Sequence, residues 1–141
     1  MREVIGNIWD YHGVAVVAIT TNGSLTRDGR AVLGRGCARQ AGLRFPDLPE
    51  HLGRLIAENG NHVQIIDADL VSFPVEETAW SLPDPALIRR SALELRDLAE
   101  LEGWQLVVVP RPGCGGGGLD WSVVRPLLAA VLDDRFAIIT L

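Results

Sequence analysis

The stretch from residue 105 to residue 121 reads QLVVVPRPGCGGGGLDW. Its apolar start is typical of a strand that is buried on both faces of a sheet. The loop that follows contains four successive glycines, Gly115 to Gly118, which cost conformational entropy on folding that a simple connector would not require. Asp120 then stands where the N-cap of a helix is expected. This order of strand, glycine-rich loop and helix is typical of α/β proteins that bind ligands at the carboxyl ends of their strands.

A second unit of the same kind lies earlier in the chain. Residues 14–20 read VAVVAIT, and residues 21–36 form another glycine-containing loop before a helical pattern. Glycines allow positive φ angles, and the start of a helix offers unpaired N–H groups, so each unit could cradle an anion. Each loop alone is a weak signal, and a long surface turn is the alternative interpretation of the first one. Neither loop carries a Walker A motif or the spacing of a Rossmann fingerprint.

Short apolar runs alternate with helical patterns along the whole chain. This alternation predicts one α/β domain, residues 1–141, with helices on both faces of a sheet. The expected strands span residues 2–6, 14–20, 62–68, 70–73, 105–110 and 136–141. The expected helices span residues 33–43, 48–58, the stretch from Asp84 and Pro85 to Gly103, and residues 123–131. Pro126 fits the last helix only if that helix starts late or has an irregular first turn.

The composition excludes several classes of protein. A chain of 141 residues that is 48% hydrophobic and 22% charged is not disordered, and its net charge of -5 argues against duplex DNA as the primary partner. All 13 basic residues are arginine, which excludes a lysine Schiff base or a lysine general base. The two cysteines and three histidines show neither a disulfide nor a metal-ligand pattern. With no membrane span and no signal peptide in the sequence, we expect a cytoplasmic location.

The residues of both loops resemble a known family. VVVPRPGCGGGGLDWSVVRPLL is similar to the phosphate loop of macrodomains, the ADP-ribose-binding modules, and AITTNG followed by LGRGCARQ resembles their other loop. The signature P-R-x-G-C-G is that of the branch with the terminal ADP-ribose protein glycohydrolases and the antitoxin macrodomains that remove ADP-ribose from DNA. The resemblance implies a three-layer α/β/α fold with a mixed, mostly parallel sheet. It also implies ADP-ribose or an ADP-ribosylated macromolecule as the ligand, with no cofactor.

The resemblance also implies roles for individual residues. Asn22 would lie near the distal ribose, and Asn7 occupies the place of an acid that often holds the adenine amino group. The diphosphate contacts would fall on Gly34, Arg35, Gly36 and Cys37 in the first loop and on Gly113, Cys114, Gly115, Gly116 and Gly117 in the second.

Two positions depart from the family pattern and leave the chemistry open. The glycohydrolases of this branch use a lysine and a loop acid, and the corresponding positions here read Glu76 and Gly117. A lysine-linked intermediate is therefore excluded. Water could instead be positioned by Asn22 and the phosphate of the substrate, or be activated by the carboxylate of Glu76. The alternative function is a reader that binds ADP-ribose without cleaving it.

Other conspicuous residues have structural interpretations. We expect an N-cap at Asp120, a solvated turn at Glu76 and Glu77, and a core position for Trp121. Packing is likewise favoured over adenine stacking for Trp9 and Trp80, and over proton transfer for His12. The two cysteines are interpreted as small residues behind the diphosphate, although both follow glycines near helix starts, where a thiol pKa can fall.

Overall fold

The computed structural model describes residues 1–141. Six strands, four α-helices and one short 3-10 helix follow one another along the chain. In chain order they are β1 (Arg2–Ile5), the 3-10 helix (Ile8–Tyr11), β2 (Val16–Asn22), α1 (Gly36–Arg44), α2 (Leu48–Asn59), β3 (Ile65–Asp67), β4 (Leu70–Glu76), α3 (Pro85–Glu102), β5 (Val107–Pro110), α4 (Trp121–Ala129) and β6 (Phe136–Thr140). No helix has the length and apolar character that crossing a membrane would need.

All six strands form one sheet in the order β1-β6-β5-β2-β4-β3. Every neighbouring pair is parallel except β3 with β4, which is antiparallel. The predicted mixed, mostly parallel sheet is therefore confirmed. Helices that cross the faces of the sheet connect the parallel strands, as is usual for such strands.

Successive residues of the central strands pack against different helical layers. Val16 and Ala18 of β2 belong to the core under α3 and α4, whereas Val17 and Ile19 belong to the core under α1 and α2. Both faces are thus apolar, which explains why the sequence of β2 is a continuous apolar run rather than an alternating one. Leu95 and Leu52, from α3 and α2, are each at most 1% exposed, and each such side chain contributes about 1.5–3 kcal/mol through burial. The three-layer α/β/α arrangement is confirmed.

The strand β4 is longer than the sequence predicted. It runs through Pro74 to Glu76 instead of ending at Phe73, because β3 covers only its first part and Pro74 lies where no partner on that side requires an N–H donor. The carboxyl half of β4 pairs with β2, and Glu76 lies opposite Asn22. The expected solvated turn at Glu76 is therefore wrong, since this residue ends a buried strand.

Other predicted elements also differ from the observed ones. The helix expected from residue 33 begins at Gly36 as α1, because Gly36 adopts a φ of +61° that turns the chain into the helix. The strand expected over residues 62–68 shortens to β3, and the 3-10 helix after β1 was not predicted.

The last helix tolerates Pro126 without a late start. α4 begins at Trp121, and its first turn contains an i to i−3 hydrogen bond from Val123 to the carbonyl of Asp120. Pro126 removes the donor that would have paired with the carbonyl of Ser122, but both residues face solvent. Asp120 caps the helix as expected by accepting a hydrogen bond from the Ser122 amide at 2.9 Å.

Candidate ligand-binding groove between two glycine-rich loops

The topology brings the two glycine-rich loops to the same edge of the sheet. β2 and β5 are parallel neighbours, so the chain leaves both strands at their carboxyl ends on one side of the molecule. We call residues 23–35 loop 1 and residues 111–120 loop 2. Two cavities lie at this edge. A first compartment of about 630 Å³ lies between α1 and loop 2, beside β1 and β6, and a second compartment of about 670 Å³ lies between loop 1 and loop 2, beside β4. The two compartments form one groove, because both are lined by Gly36, Cys37, Pro110, Arg111 and Gly115.

Every site residue named from the sequence lines this groove. Asn7 and Cys114 line the first compartment, and Gly36, Cys37 and Gly115 line both. The second compartment is lined by Asn22, Gly34, Arg35, Glu76, Gly113, Gly116 and Gly117. The residues named from the sequence therefore lie together at one groove, while their role toward a ligand stays a prediction.

The groove presents a set of unpaired backbone N–H groups. At the start of α1 the amides of Gly36, Cys37 and Ala38 donate to no acceptor in the chain, as expected for the first turn of a helix. The amides of Gly113, Gly115, Gly116 and Gly117 in loop 2 also have no partner. Cys114 differs from its neighbours, because its amide donates to the carbonyl of Arg111 at 3.3 Å. Two sets of amide donors thus meet at one groove, and such donors bind anions.

The glycines of loop 2 are required for different reasons. A Cβ atom on Gly115 would meet no other atom within 4 Å, because its position opens into the groove. A Cβ atom on Gly117 would lie 2.6 Å from both the Gly113 carbonyl oxygen and Pro83 Cγ. Gly113 combines a φ of +72° with a Cβ position 2.9 Å from Leu119. A side chain at position 117 therefore has no room in this conformation.

Replacing Gly117 by alanine is expected to destabilise the fold. The added methyl group would overlap the Gly113 carbonyl and Pro83, and overpacking of this kind costs about 1–3 kcal/mol in the free energy of unfolding. Denaturant unfolding measures this change. Gly115→Ala is the matched control in the same loop, because its methyl group meets no atom within 4 Å. Equal stability of the two variants would contradict the packing of loop 2 described above.

Arginine side chains make the groove positive although the whole chain is acidic. Arg44 and Arg111 line the first compartment, which has no aspartate or glutamate side chain in its lining. Their guanidinium groups stack on indole rings, with Arg44 4.9 Å from the ring centroid of Trp9 and Arg111 4.8 Å from that of Trp121. Such stacking holds each charge in place at the groove. The local field therefore favours an anionic ligand despite the net charge of -5.

The first compartment offers one free amide group beside a buried tryptophan. Asn7 is the N-cap of the 3-10 helix, and its Oδ1 accepts a hydrogen bond from the Trp9 amide at 3.0 Å. The Nδ2 group of Asn7 donates to no acceptor in the chain and remains free at the groove. Trp9 is buried, and its Nε1 donates to Gln40 Oε1 at 2.8 Å. Because Arg44 covers the indole ring of Trp9, this compartment offers a ligand the Asn7 amide and the exposed Arg44 guanidinium rather than an aromatic face.

The second compartment contains a buried carboxylate that is paired with an arginine. The side chain of Glu76 is 10% exposed, and its Oε2 lies 3.0 Å from Arg35 Nη2. Glu76 is the only charged residue among the buried residues of the chain. Arg35 also donates from Nη1 to the Gly116 carbonyl at 3.3 Å, so its side chain connects loop 1, loop 2 and the end of β4. Burial of a charge requires such a partner.

Asn22 fixes loop 1 in addition to lining the groove. Its Nδ2 donates to the Val32 carbonyl at 3.0 Å, and its Oδ1 accepts from the Ser24 amide at 2.9 Å. Asn22 is the last residue of β2, so these two bonds hold both ends of loop 1 to the strand. One Nδ2 hydrogen remains for a ligand.

Known proteins match this chain in structure but not in sequence. No protein-family model matches the chain, and no curated protein does. The macrodomain of Mycobacterium tuberculosis DarG superposes with a TM-score of 0.77 at 22% identity, covering 97% of each chain. This chain has the macrodomain fold. The macrodomain of Thermus aquaticus DarG, at 18% identity, covers 99% of this chain and 97% of its own with a TM-score of 0.73.

A structure of Thermosipho africanus DarTG in complex with ADP-ribose is also similar. Its TM-score is 0.74 at 20% identity, and the match covers 98% of this chain but only 41% of that one. The resemblance of the two glycine loops to macrodomains is thus confirmed at the level of the fold. Within this macrodomain fold, the two loops lie where the sequence placed them relative to the strands.

Both cysteines of this chain lie in the groove as thiols. Burial raises the pKa of Cys37 and of Cys114 above the usual range for a thiol, which opposes any effect of the α1 N-terminus on Cys37. Cys37 Sγ contacts Thr20 Oγ1 at 3.7 Å, and Cys114 Sγ lies 3.4 Å from the Pro112 carbonyl. Neither side chain is therefore poised as a nucleophile.

Several groove residues of this chain were not predicted from the sequence. Three of them line the first compartment: Gln40, Arg44 and Arg111. For the two arginines, the available signal was that arginine supplies every basic residue of the chain. Trp121 packs partly on the core but also lines the groove, so the expected core position is only half correct. His12 lines neither compartment and packs on Phe45, with ring centroids 5.1 Å apart.

Proposed function

We propose that this protein binds ADP-ribose along the groove. The observation that carries the proposal is the meeting of unpaired amides from α1 and loop 2 between two compartments. A diphosphate placed on these amides would direct its adenosine into the arginine-lined first compartment and its distal ribose toward Asn22 and Glu76. The match to a DarTG structure that holds ADP-ribose supports this ligand.

We further propose that the protein hydrolyses the bond between ADP-ribose and a modified group. The chain contains no lysine, so the base must be another residue, and Glu76 is the buried carboxylate at the ribose end of the groove. Its carboxylate would accept a proton from water while the water oxygen bonds to the anomeric carbon of the ribose. The bond from that carbon to the acceptor breaks, and the proton passes from Glu76 to the leaving atom, which restores the carboxylate.

A reader without catalysis is the second candidate. The pairing of Glu76 with Arg35 favours it, because a carboxylate that stabilises an arginine has a structural role of its own. Both candidates require the same diphosphate cradle and differ only in chemistry.

Two measurements test these proposals in turn. Titration calorimetry with ADP-ribose, with AMP as the comparison ligand that lacks a diphosphate, tests the cradle. Incubation with labelled ADP-ribosylated protein and ADP-ribosylated DNA then tests hydrolysis. Release of labelled ADP-ribose supports the hydrolase, and retained label together with tight ADP-ribose binding leaves the reader. Equal affinity for AMP and ADP-ribose would contradict the cradle itself.

An exposed tryptophan marks the side where a modified macromolecule would lie. Trp80 lines the second compartment and is 85% exposed, and the neighbouring Leu82 is 84% exposed. The turn that carries them is held rigidly, since the Ala79 amide donates to Ser24 Oγ at 2.9 Å. Trp80 therefore presents a large apolar surface next to the proposed ribose position.

Trp80→Ala is expected to weaken the interaction with attached ADP-ribose but not the interaction with free ADP-ribose. The catalytic efficiency, or the affinity in the case of a reader, should fall about tenfold for the modified macromolecule, because stacking contacts of this kind contribute about 1–3 kcal/mol. Affinity for free ADP-ribose should not change. Leu101→Ala is the matched control, because Leu101 is 81% exposed and does not line the groove. A parallel loss of free ADP-ribose binding would assign Trp80 to the nucleotide instead.

A further inference from the structure

We infer that Arg35 changes its partner when ADP-ribose binds. Its guanidinium group separates from the carboxylate of Glu76 and pairs with the phosphate groups of the ligand. The inference rests on the proposed ADP-ribose binding and adds a step to it. In the free protein Arg35 keeps Glu76 neutralised. In the complex Glu76 is unpaired beside the ribose, so binding of the substrate itself releases the base. Arg35 is then a positioning residue, because it acts on the reaction through Glu76.

The position of Arg35 places its charge between the two sets of free amides. The residue is the N-cap of α1, directly before the unpaired amides of Gly36 and Cys37. Its side chain crosses to loop 2, where Cδ lies 3.3 Å from the Cβ position of Gly116 and Nη1 contacts the Gly116 carbonyl. The guanidinium group therefore lies at the gap in which the cradle would hold a diphosphate.

Arg35 can pair with Glu76 in the free protein or with the diphosphate in the complex, and the pair with Glu76 is the weaker one. Only Nη2 reaches the carboxylate, at 3.0 Å, so the pair is not the bidentate arrangement that makes arginine pairs strong. A diphosphate offers several oxygens and more than one negative charge, which match the planar fork of a guanidinium. The Arg35 side chain is 57% exposed, so a change of rotamer toward the ligand meets little packing resistance.

Arg111 is the other cation in the lining of the second compartment, and it stacks on Trp121. Asn22 lies opposite Glu76 on β2 and is neutral, and Asn61 donates from Nδ2 to the Glu76 carbonyl at 3.0 Å. On α3, Arg90 donates to the Asn61 carbonyl, and Glu77 adds a negative charge next along the chain. A carboxylate that has lost its arginine partner is free to accept a hydrogen bond from water, which is the contact that a general base requires.

A double-mutant cycle on ADP-ribose affinity tests the exchange of partners. Calorimetry compares the wild type, Glu76→Gln, Arg35→Gln and the double variant. If Glu76 competes with the ligand for Arg35, Glu76→Gln should bind ADP-ribose more tightly, by roughly three- to tenfold. In that variant Arg35 does not have to separate from a charged partner before it binds the phosphates. In the Arg35→Gln background the same substitution should have no effect. Inorganic pyrophosphate, which lacks the ribose, should show the same pattern.

Each other outcome overturns the inference. A gain that persists without Arg35 would show simple repulsion between Glu76 and the phosphates. A loss of affinity in Glu76→Gln would show that the Arg35 to Glu76 pair belongs to the bound state. Thermal melting of all variants checks that each one folds, and Arg35→Lys, which keeps the charge but not the fork, should retain only part of the coupling. A wild type that fails to bind ADP-ribose overturns the proposed function, whereas binding without coupling overturns only this exchange.

Discussion

A Gly115→Glu variant should lose ADP-ribose binding by on the order of a hundredfold or more. Gly115 lines both compartments of the groove, and its amide belongs to the unpaired donors of loop 2. A glutamate side chain would occupy the space of the diphosphate and place a like charge beside it, and such juxtaposition costs several kcal/mol. Because nothing lies within 4 Å of the Cβ position, the substitution should leave the fold intact.

Two further variants at Gly115 separate the causes of this loss. Gly115→Gln has the same shape without the charge, and Gly115→Ala adds only a methyl group. Affinity measured by calorimetry should fall in the order alanine, glutamine, glutamate, while the unfolding free energies stay alike. Gly36→Glu is a less suitable test, because Gly36 adopts a φ of +61° and any side chain there strains the backbone. Wild-type affinity in Gly115→Glu would place the diphosphate elsewhere.

The groove could be located from the sequence because its parts are local. Glycine runs after apolar strands are visible in the residues themselves, and parallel strands bring their carboxyl ends to one edge regardless of the details. Asp84, Gly103 and Asp120 marked their helix ends correctly for the same reason, since capping depends on neighbouring residues. The open amides of loop 2 follow from the glycines that the sequence shows.

The surroundings of Glu76 could not be predicted in the same way. The residue is buried because β4 continues past Pro74 along β2, and no local pattern reports how far a parallel partner extends. Its pairing with Arg35 joins residues 41 positions apart in the sequence. The collision that keeps a side chain from Gly117 depends equally on Pro83, from a distant turn. Interactions between remote segments thus determined the chemistry of the site, while local patterns determined its place.

Glu76→Gln is expected to lower the rate of ADP-ribose release from a modified substrate by about 100- to 10,000-fold, the usual contribution of a general base. The amide is close in shape to the carboxylate but cannot accept a proton from water. Binding of ADP-ribose should survive, so the loss should appear in the turnover number.

Glu77→Gln is the matched control for this loss of turnover. Glu77 is the adjacent carboxylate on the exposed side of the chain, and it does not line the groove. Removing its charge changes the local field without touching the proposed base, so its turnover should stay near that of the wild type. If Glu76→Gln also kept most of its turnover, the base role would be wrong. Water positioned by Asn22 and the phosphate of the substrate would then account for the hydrolysis, because both of these groups remain in the variant.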